Sequence, residues 1–425
     1  MIRLAKWRTT TGRGMLILVL ACMVAFTGRA AADPVDATWT GGGGDTNYSV
    51  PANWDIGVVP LNDVDTYNVF IPGSVTVAFD VDDPGTVTDF SLATDSTFTV
   101  NPGHSLTVLD DATIGGLISA DGTGTTFAAT SAGAAFTGNK SRLLASGGAM
   151  VSLAATSYSS TGLNSPLSSY LLFYASGAGT ALNLSSLQSL NAGFNDGRDY
   201  QFTRQRIEAT NDGVIDLSGL QELIGPYQPD DRFDIIINTG GTINLSSLQS
   251  IGSAGSGNTR FDIDVPTFTL LSLDSASRVI LEMFTDSTWD LPVLTSLSNA
   301  TIKMDPGSTL NMPLLVEANG GTYTLPQIGK LRSDNPTTIN AESLVAVDGV
   351  TFSLGDGAVS NAPGLTSFTN CSVSLTPGRV FTNGVLDNIN NSRIQASGGA
   401  EFGTSYGDLA ATTYSSTGLN SPQSN

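Results

Sequence analysis

Between Asn299 and Ala396, apolar side chains fall two residues apart in five short runs, each opening on a polar corner. Ile302 and Met304 follow Asn299, Tyr323 and Leu325 follow Asn319, and Phe352 and Leu354 follow Asp348. Val373 and Leu375 follow Asn370, and Ile394 and Ala396 follow Asn391. Period two is the spacing of a strand with one buried face. Turn signals such as DPGS at Asp305 and SGG at Ser397 close most runs; a second apolar run follows, and the next corner comes 20, 29, 22 or 21 residues after the last. A unit that small encloses no core alone, so successive units must stack and bury one another's apolar faces. The pattern predicts an all-β fold, a parallel β-helix (β-solenoid), with Asn299, Asn319, Asp348, Asn370 and Asn391 as a corner ladder. Asn, Asp and Gly tolerate the left-handed backbone that such corners need, and stacked amides can bond up the column.

Upstream the unit lengthens. GTALNLSSLQSL from Gly179, VIDLSGLQEL from Val214 and GTINLSSLQSI from Gly241 carry polar anchors Asn183, Asp216 and Asn244, spaced 33 and 28 apart. The leucine spacing also suits a leucine-rich horseshoe, but that architecture wants a helical convex side, which Ser-rich text does not supply. From Val75 the coils are shorter and rich in Thr and Val: SVTVAFDV, TFTV and SLTV. A longer duplication returns SRLLASGGA at Ser141 as SRIQASGGA at Ser392, and ATSYSSTGLNSP at Ala155 as ATTYSSTGLNSP at Ala411. Its second copy stops soon after matching, so the chain is expected to be the front of a longer array, or a truncated one. At about 4.8 Å per coil, some 15 coils would make a rod of about 70 Å.

The opening differs from the rest: Trp39, Tyr48 and Trp54 are concentrated near the run Gly41 to Gly44. W-x-GGGGD at Trp39 to Asp45, PANW at Pro51 to Trp54, and GVVP followed by an acidic residue from Gly57 resemble the start of secreted bacterial β-helix proteins, including autotransporter-like and planctomycete-type repeat surface proteins. The resemblance covers about forty residues and implies an N-terminal cap (33–74) leading into solenoid coils (75–425). By analogy with β-helix proteins the solenoid is expected to be right-handed. A cap is also a physical requirement, since an open first coil would expose unpaired backbone and an apolar face. The Trp residues are expected to pack over the solenoid end; an aromatic sugar site is the alternative.

Residues 1–32 read as a signal peptide: Arg3, Lys6, Arg8 and Arg13, then an apolar run from Met15 to Phe26, then Ala30-Ala31-Ala32 as a cleavage site. Cys22 loosely resembles a lipoprotein acylation site, but the apolar run continues past it. The mature chain then has no membrane span and is expected to be secreted, extracellular or at the outer cell surface.

The chain carries 18 basic and 38 acidic residues, a net charge of −20. Five of the basic residues and none of the acids lie in the signal, so the mature protein would carry −25. So acidic a protein is a poor partner for nucleic acid or anionic lipid. Only Cys371 remains as a thiol, which excludes an intrachain disulfide, and with His104 as the sole histidine it excludes the usual zinc sets and leaves little for a Ser/His/Asp triad. Residues 33 to 139 hold 14 Asp and no Lys or Arg, so Ca2+ is a candidate ligand at Asp82, Asp83, Asp110 and Asp111; solvated acidic turns are the plainer reading.

The expected role is a structural or adhesive surface protein (an adhesin) without catalysis or cofactor, its partners glycans or other cell-surface molecules. The alternative is an extracellular polysaccharide lyase or glycoside hydrolase, since lyases use Arg or Lys with calcium and hydrolases use paired carboxylates. Its candidates are Asp230, Asp231 and Asp234 with Arg232, or Asp262 and Asp264 with Arg260. In RFDIDV, alternation turns Phe261, Ile263 and Val265 inward, leaving Asp262 and Asp264 outward.

Overall fold

The computed structural model describes residues 33–82, 84–163, 169–195, 197, 202–324, 337–354, 358–375, 380–383, 386–396 and 401–402. The expected signal peptide, Asp83 and the second ATTYSSTGLNSP copy lie outside the described residues.

Parallel strands stack into a β-solenoid of about 12 turns. The longest column begins with Thr76–Phe79 and ends with Arg393–Ala396, and every pairing between strands is parallel. A five-stranded column flanks its N-terminal half, and two seven-stranded columns complete the coil, one in each half. The only helical element among the described residues is a single 3-10 turn, Pro51–Asn53, so the horseshoe alternative has no convex helices. There are fewer turns than the 15 or so expected because the middle coils are wide: the stacked strands Ala181–Asn183 and Val214–Asp216 lie 33 residues apart.

One apolar core runs through the interior from Ala37 to Leu386. Alternation fills it: in Thr97–Val100, Phe98 and Val100 are buried beneath half-exposed Thr97 and Thr99. Like sits over like, as in the contact of Phe268 with Trp289 at 5.1 Å.

The coil corner behind the leucine pattern recurs with small variations. Leu184-Ser185-Ser186-Leu187, Leu217-Ser218-Gly219-Leu220 and Leu245-Ser246-Ser247-Leu248 each close with a bond from the last Leu N–H to the first Leu carbonyl, at 2.9, 2.9 and 3.1 Å. Both leucines point inward and are buried, and the pair between them faces out. The polar anchor before each turn caps it: the side-chain oxygens of Asn183, Asp216 and Asn244 accept from the N–H groups of Ser185, Ser218 and Ser246 at 3.0, 2.9 and 3.2 Å. Asn and Asp are favoured there because their short acceptors reach the backbone two residues on.

Register corrects the expected corner ladder. The residues that stack in a left-handed conformation are Arg278, Asn299, Gly320, Gly349, Asn370 and Asn391, with φ of 53, 51, 66, 66, 53 and 56°. Asn319 and Asp348 stand one position earlier and pair with each other. In their two coils glycine takes the strained position, where it costs no Cβ clash. The column therefore repeats at 21 residues except where it spans the longer 320-to-349 coil. A real amide chain runs nearby: Asn391 Nδ2 donates to Asn370 Oδ1 at 3.2 Å, and Asn370 Nδ2 to Asp348 Oδ1 at 2.7 Å. A second chain, unforeseen from sequence, runs from Asn340 to Asn311 (2.8 Å) and from Asn311 to Asp290 (2.7 Å). Both end on an aspartate, an acceptor-only group that orients every amide the same way. Replacing Asn370 by glycine should keep the backbone and lose about 1 kcal/mol of ladder bonding. Alanine should lose a further 1 kcal/mol or so to left-handed strain. Urea midpoints of the two variants measure the difference.

In the N-terminal segment, 33–74, Val35–Thr38 pairs in parallel with Tyr67–Ile71, which pairs in turn with Asp89–Leu92 of the following coil. Its aromatics close the interior. Tyr48 lies 5.0 Å from Phe79 and 4.7 Å from Trp54, and Trp54 lies 5.2 Å from Trp39; all three cap aromatics are buried. The two motifs of this segment meet at Asn53, whose amide accepts from Gly43 N–H (2.8 Å) and donates to Asp45 (2.7 Å). Buried rings serve packing, not an exposed sugar platform.

Candidate functional site

The outer face of the long column carries a charged cluster over the strands Arg204–Thr210, Arg232–Ile237, Asn258–Ile263, Val279–Met283 and Ser296–Met304. Strand alternation places Arg204, Arg206 and Glu208 outward on the first, Arg232 and Asp234 on the second, and Arg260 and Asp262 on the third. Parallel register then stacks Arg204 on Arg232, sets Asp234 between Arg206 and Arg260, and sets Glu282 between Asp262 and Lys303.

Asp234 is fully buried despite its outward position, because two guanidiniums close over it. Arg204 pairs with it, and Arg232 Nε lies 2.7 Å from Oδ1. Two cations on one carboxylate leave the guanidiniums close together. Burial, joined by repulsion from Arg260, pushes the affinity of both for their protons down, with Arg206 adding to the effect on Arg204 and Arg204 to that on Arg232. The exposed ring of Phe202 lies 5.0 Å from the Arg232 guanidinium, a cation–π contact. On the next coils Arg260 pairs with Asp262 (2.7 Å) and with Glu282, and Lys303 reaches Glu282 at 2.7 Å. Burial alone would raise the Glu282 carboxyl, but the bonds from Lys303 and Arg260 outweigh it and hold it below the usual range.

The remaining candidates, Asp230, Asp231 and Asp264, lie beside the strands and not within them. Asp230 is exposed on the loop before the second strand. Asp231 is buried and accepts the Thr203 N–H at 2.9 Å, which anchors that loop. Asp264 is exposed at the end of its strand. Phe261 and Ile263 are buried and Asp262 is not, so alternation holds there. It does not predict Asp234: the run FDIII is apolar on both parities, and that double apolarity is the signal of a covered outer face, with Ile236 also buried. The cluster thus spends Asp234, Asp262 and Glu282 on neighbouring cations.

At the candidate metal positions, Asp110 and Asp111 are exposed, and Asp111 N–H donates to Asp89 at 3.0 Å. No group of three or more His, Cys, Asp or Glu side chains converges among the described residues. His104 lies in a turn with Nδ1 2.6 Å from the Val81 carbonyl, so this nitrogen donates. Cys371 is buried and its thiol is pushed up to about 11, chiefly by burial, which keeps it from acting as a thiolate.

Acid sensitivity follows from two of these groups. Glu282 and Asp348 both titrate below their usual range, Asp348 through bonds from Thr369 and Asn370. A depressed carboxyl contributes stability above its unfolded pKa and loses it as the pH falls through the folded one, so stability should decline below about pH 4. Asp305, raised by burial and by Glu282, opposes this trend. Urea midpoints at pH 7, 4 and 3 test it; a constant midpoint would contradict it.

Comparison with protein-family models, curated proteins and solved structures gives no match. No helix among the described residues is long and apolar enough to cross a membrane.

Proposed function

We propose that this is a secreted or cell-surface protein whose work is structural and adhesive, carried out by a stiff solenoid without catalysis. The observation that carries this reading is the continuous core: about 12 turns share one interior, and the outer acids of the charged cluster are committed to ion pairs. A stack of this kind gives length and regular faces, and its neighbour-to-neighbour contacts suit a rod that bears many weak contacts. The signal-like start at 1–32, the acidic charge and the resemblance of residues 39–63 to surface β-helix proteins support an extracellular location.

The test is to express the chain in a bacterial host, sequence the exported product, and measure retention of coated beads on cell surfaces and glycans. Export with cleavage before Asp33, bead retention, and no turnover of pectin- or alginate-like polymers are the expected results. Turnover abolished by Asp234→Asn or Arg232→Lys would overturn it in favour of the enzyme.

A further inference from the structure

A second surface, away from the charged cluster, forms a trough at the C-terminal ends of five stacked strands, from Thr126–Ala129 to Thr242–Asn244. It lies where the coil outline changes. In the two earlier coils the chain runs on past the strand, with Ala154 N–H bonded to Ala129 carbonyl at 2.9 Å; in the next it turns sharply at Leu184. The projecting Leu-Ser-Ser-Leu corners form one wall. The main hollow measures about 450 Å³, and a second of about 230 Å³ shares Thr130, Ala154, Ser185 and Ser186 with it. That is the size of a ligand cleft.

Its chemistry is uniform. No charged and no aromatic side chain lines either hollow, although the chain as a whole carries −20. Thr130, Thr156, Ser185, Ser186, Gln188 and Gln221 face it, and among the described residues their hydroxyls and amides have no protein hydrogen-bond partner. Gln221 N–H bonds to the Gln188 carbonyl at 2.8 Å, and Gln188 N–H to the Thr156 carbonyl at 2.8 Å, so successive coils set these side chains in a row along the axis. Hydroxyls and primary amides both donate and accept, as sugar hydroxyls do.

We infer that this trough binds a neutral polysaccharide chain lying along the solenoid axis. An acidic polymer would meet the negative field of the protein and find no cation in the trough. A basic or strongly apolar ligand would find neither carboxylates nor an apolar floor. The inference names the partner for the adhesive reading above and rests on it.

The experiment is affinity electrophoresis and pull-down of the full chain with cellulose, β-1,3-glucan, starch and xylan, beside alginate and polygalacturonate. Three proteins are compared: the unaltered chain, Gln188→Ala with Gln221→Ala, and Ser186→Trp, which fills the hollow from an exposed corner. Far-UV circular dichroism and urea midpoints check that each is folded. Retention by at least one neutral polymer is expected, with a drop of about tenfold in the double variant and in Ser186→Trp. Equal retention of folded variants would overturn the trough and leave the adhesive reading standing. Retention by acidic polymers alone would also overturn the trough. An unaltered chain retained by none of the polymers would overturn the trough and remove glycans from the adhesive reading as well.

Discussion

Replacing Asp234 by alanine should cost about 3–5 kcal/mol of stability, because it strands two partly buried guanidiniums that now share one fully buried carboxylate. The register makes the loss larger than for an ordinary surface pair. Arg204 stacks directly on Arg232, and without the carboxylate like charges face one another at strand spacing. Asp234→Asn keeps the shape and some hydrogen bonding but not the charge, so it should fall between wild type and alanine. Adding Arg204→Met and Arg232→Met to Asp234→Ala should recover much of the stability, since the stranded charges are then gone. Urea denaturation followed by circular dichroism measures all four proteins. A loss below about 1 kcal/mol for Asp234→Ala would place the pair among ordinary exposed ion pairs and contradict the buried geometry.

The second large effect is expected in the core. Trp289 is fully buried in the strand Thr288–Asp290, between Phe268 on one side and Leu310 on the other. Trp289→Ala should lose about 3–5 kcal/mol through lost burial and the cavity left behind. The damage should pass to neighbouring coils, because each coil's interior is completed by the next. Trp289→Phe should be milder, since the indole N–H has no hydrogen-bond partner among the described residues and its removal strands nothing. A small loss for alanine would mean that the two sides of the coil do not share an interior at this level.

The architecture was open to reading from sequence because stacking is a local rule repeated many times. Period-two runs such as Val373 and Leu375, and corners marked by Asn370 and Asn391, recur often enough that one fold satisfies them all. The fine register was not open to it. Asn319 and Asp348 look like the corner residues of their coils, yet the left-handed position falls on the glycine after each. Asn and Gly are both suited to that conformation, so an Asn-Gly or Asp-Gly pair leaves a choice of one residue that only pairing decides. The turn count was overestimated because wide loops, as between Gly179 and Val214, lengthen a coil without lengthening the rod.

The site was less legible still. Alternation assigns every outward carboxylate to solvent, and Asp264 obeys it, while Asp262 faces outward but pairs with Arg260. Asp234 does not, because what buries it is contributed by arginines 30 residues and two residues before it in sequence, and only register brings Arg204 beside Arg232. The trough has no sequence signature at all: Ser, Thr and Gln are ordinary solenoid surface residues, and a step in coil outline makes them converge.

The claim beneath all of this is a single continuous column, and distances along one outward row test it most directly. Ser119 and Ser374 belong to the same row, ten coils apart through the register pairs that include Leu144, Tyr174, Glu208, Ile236, Asp262, Glu282, Lys303, Thr324 and Ser353. Spin labels on Ser119→Cys and Ser374→Cys, in a chain carrying Cys22→Ser and with Cys371 buried, should report one narrow distance of about 48 Å, from about 4.8 Å per coil. A separation well below about 40 Å at the same spacing rule, or a broad spread of distances, would mean that the coils fold back or form separate units.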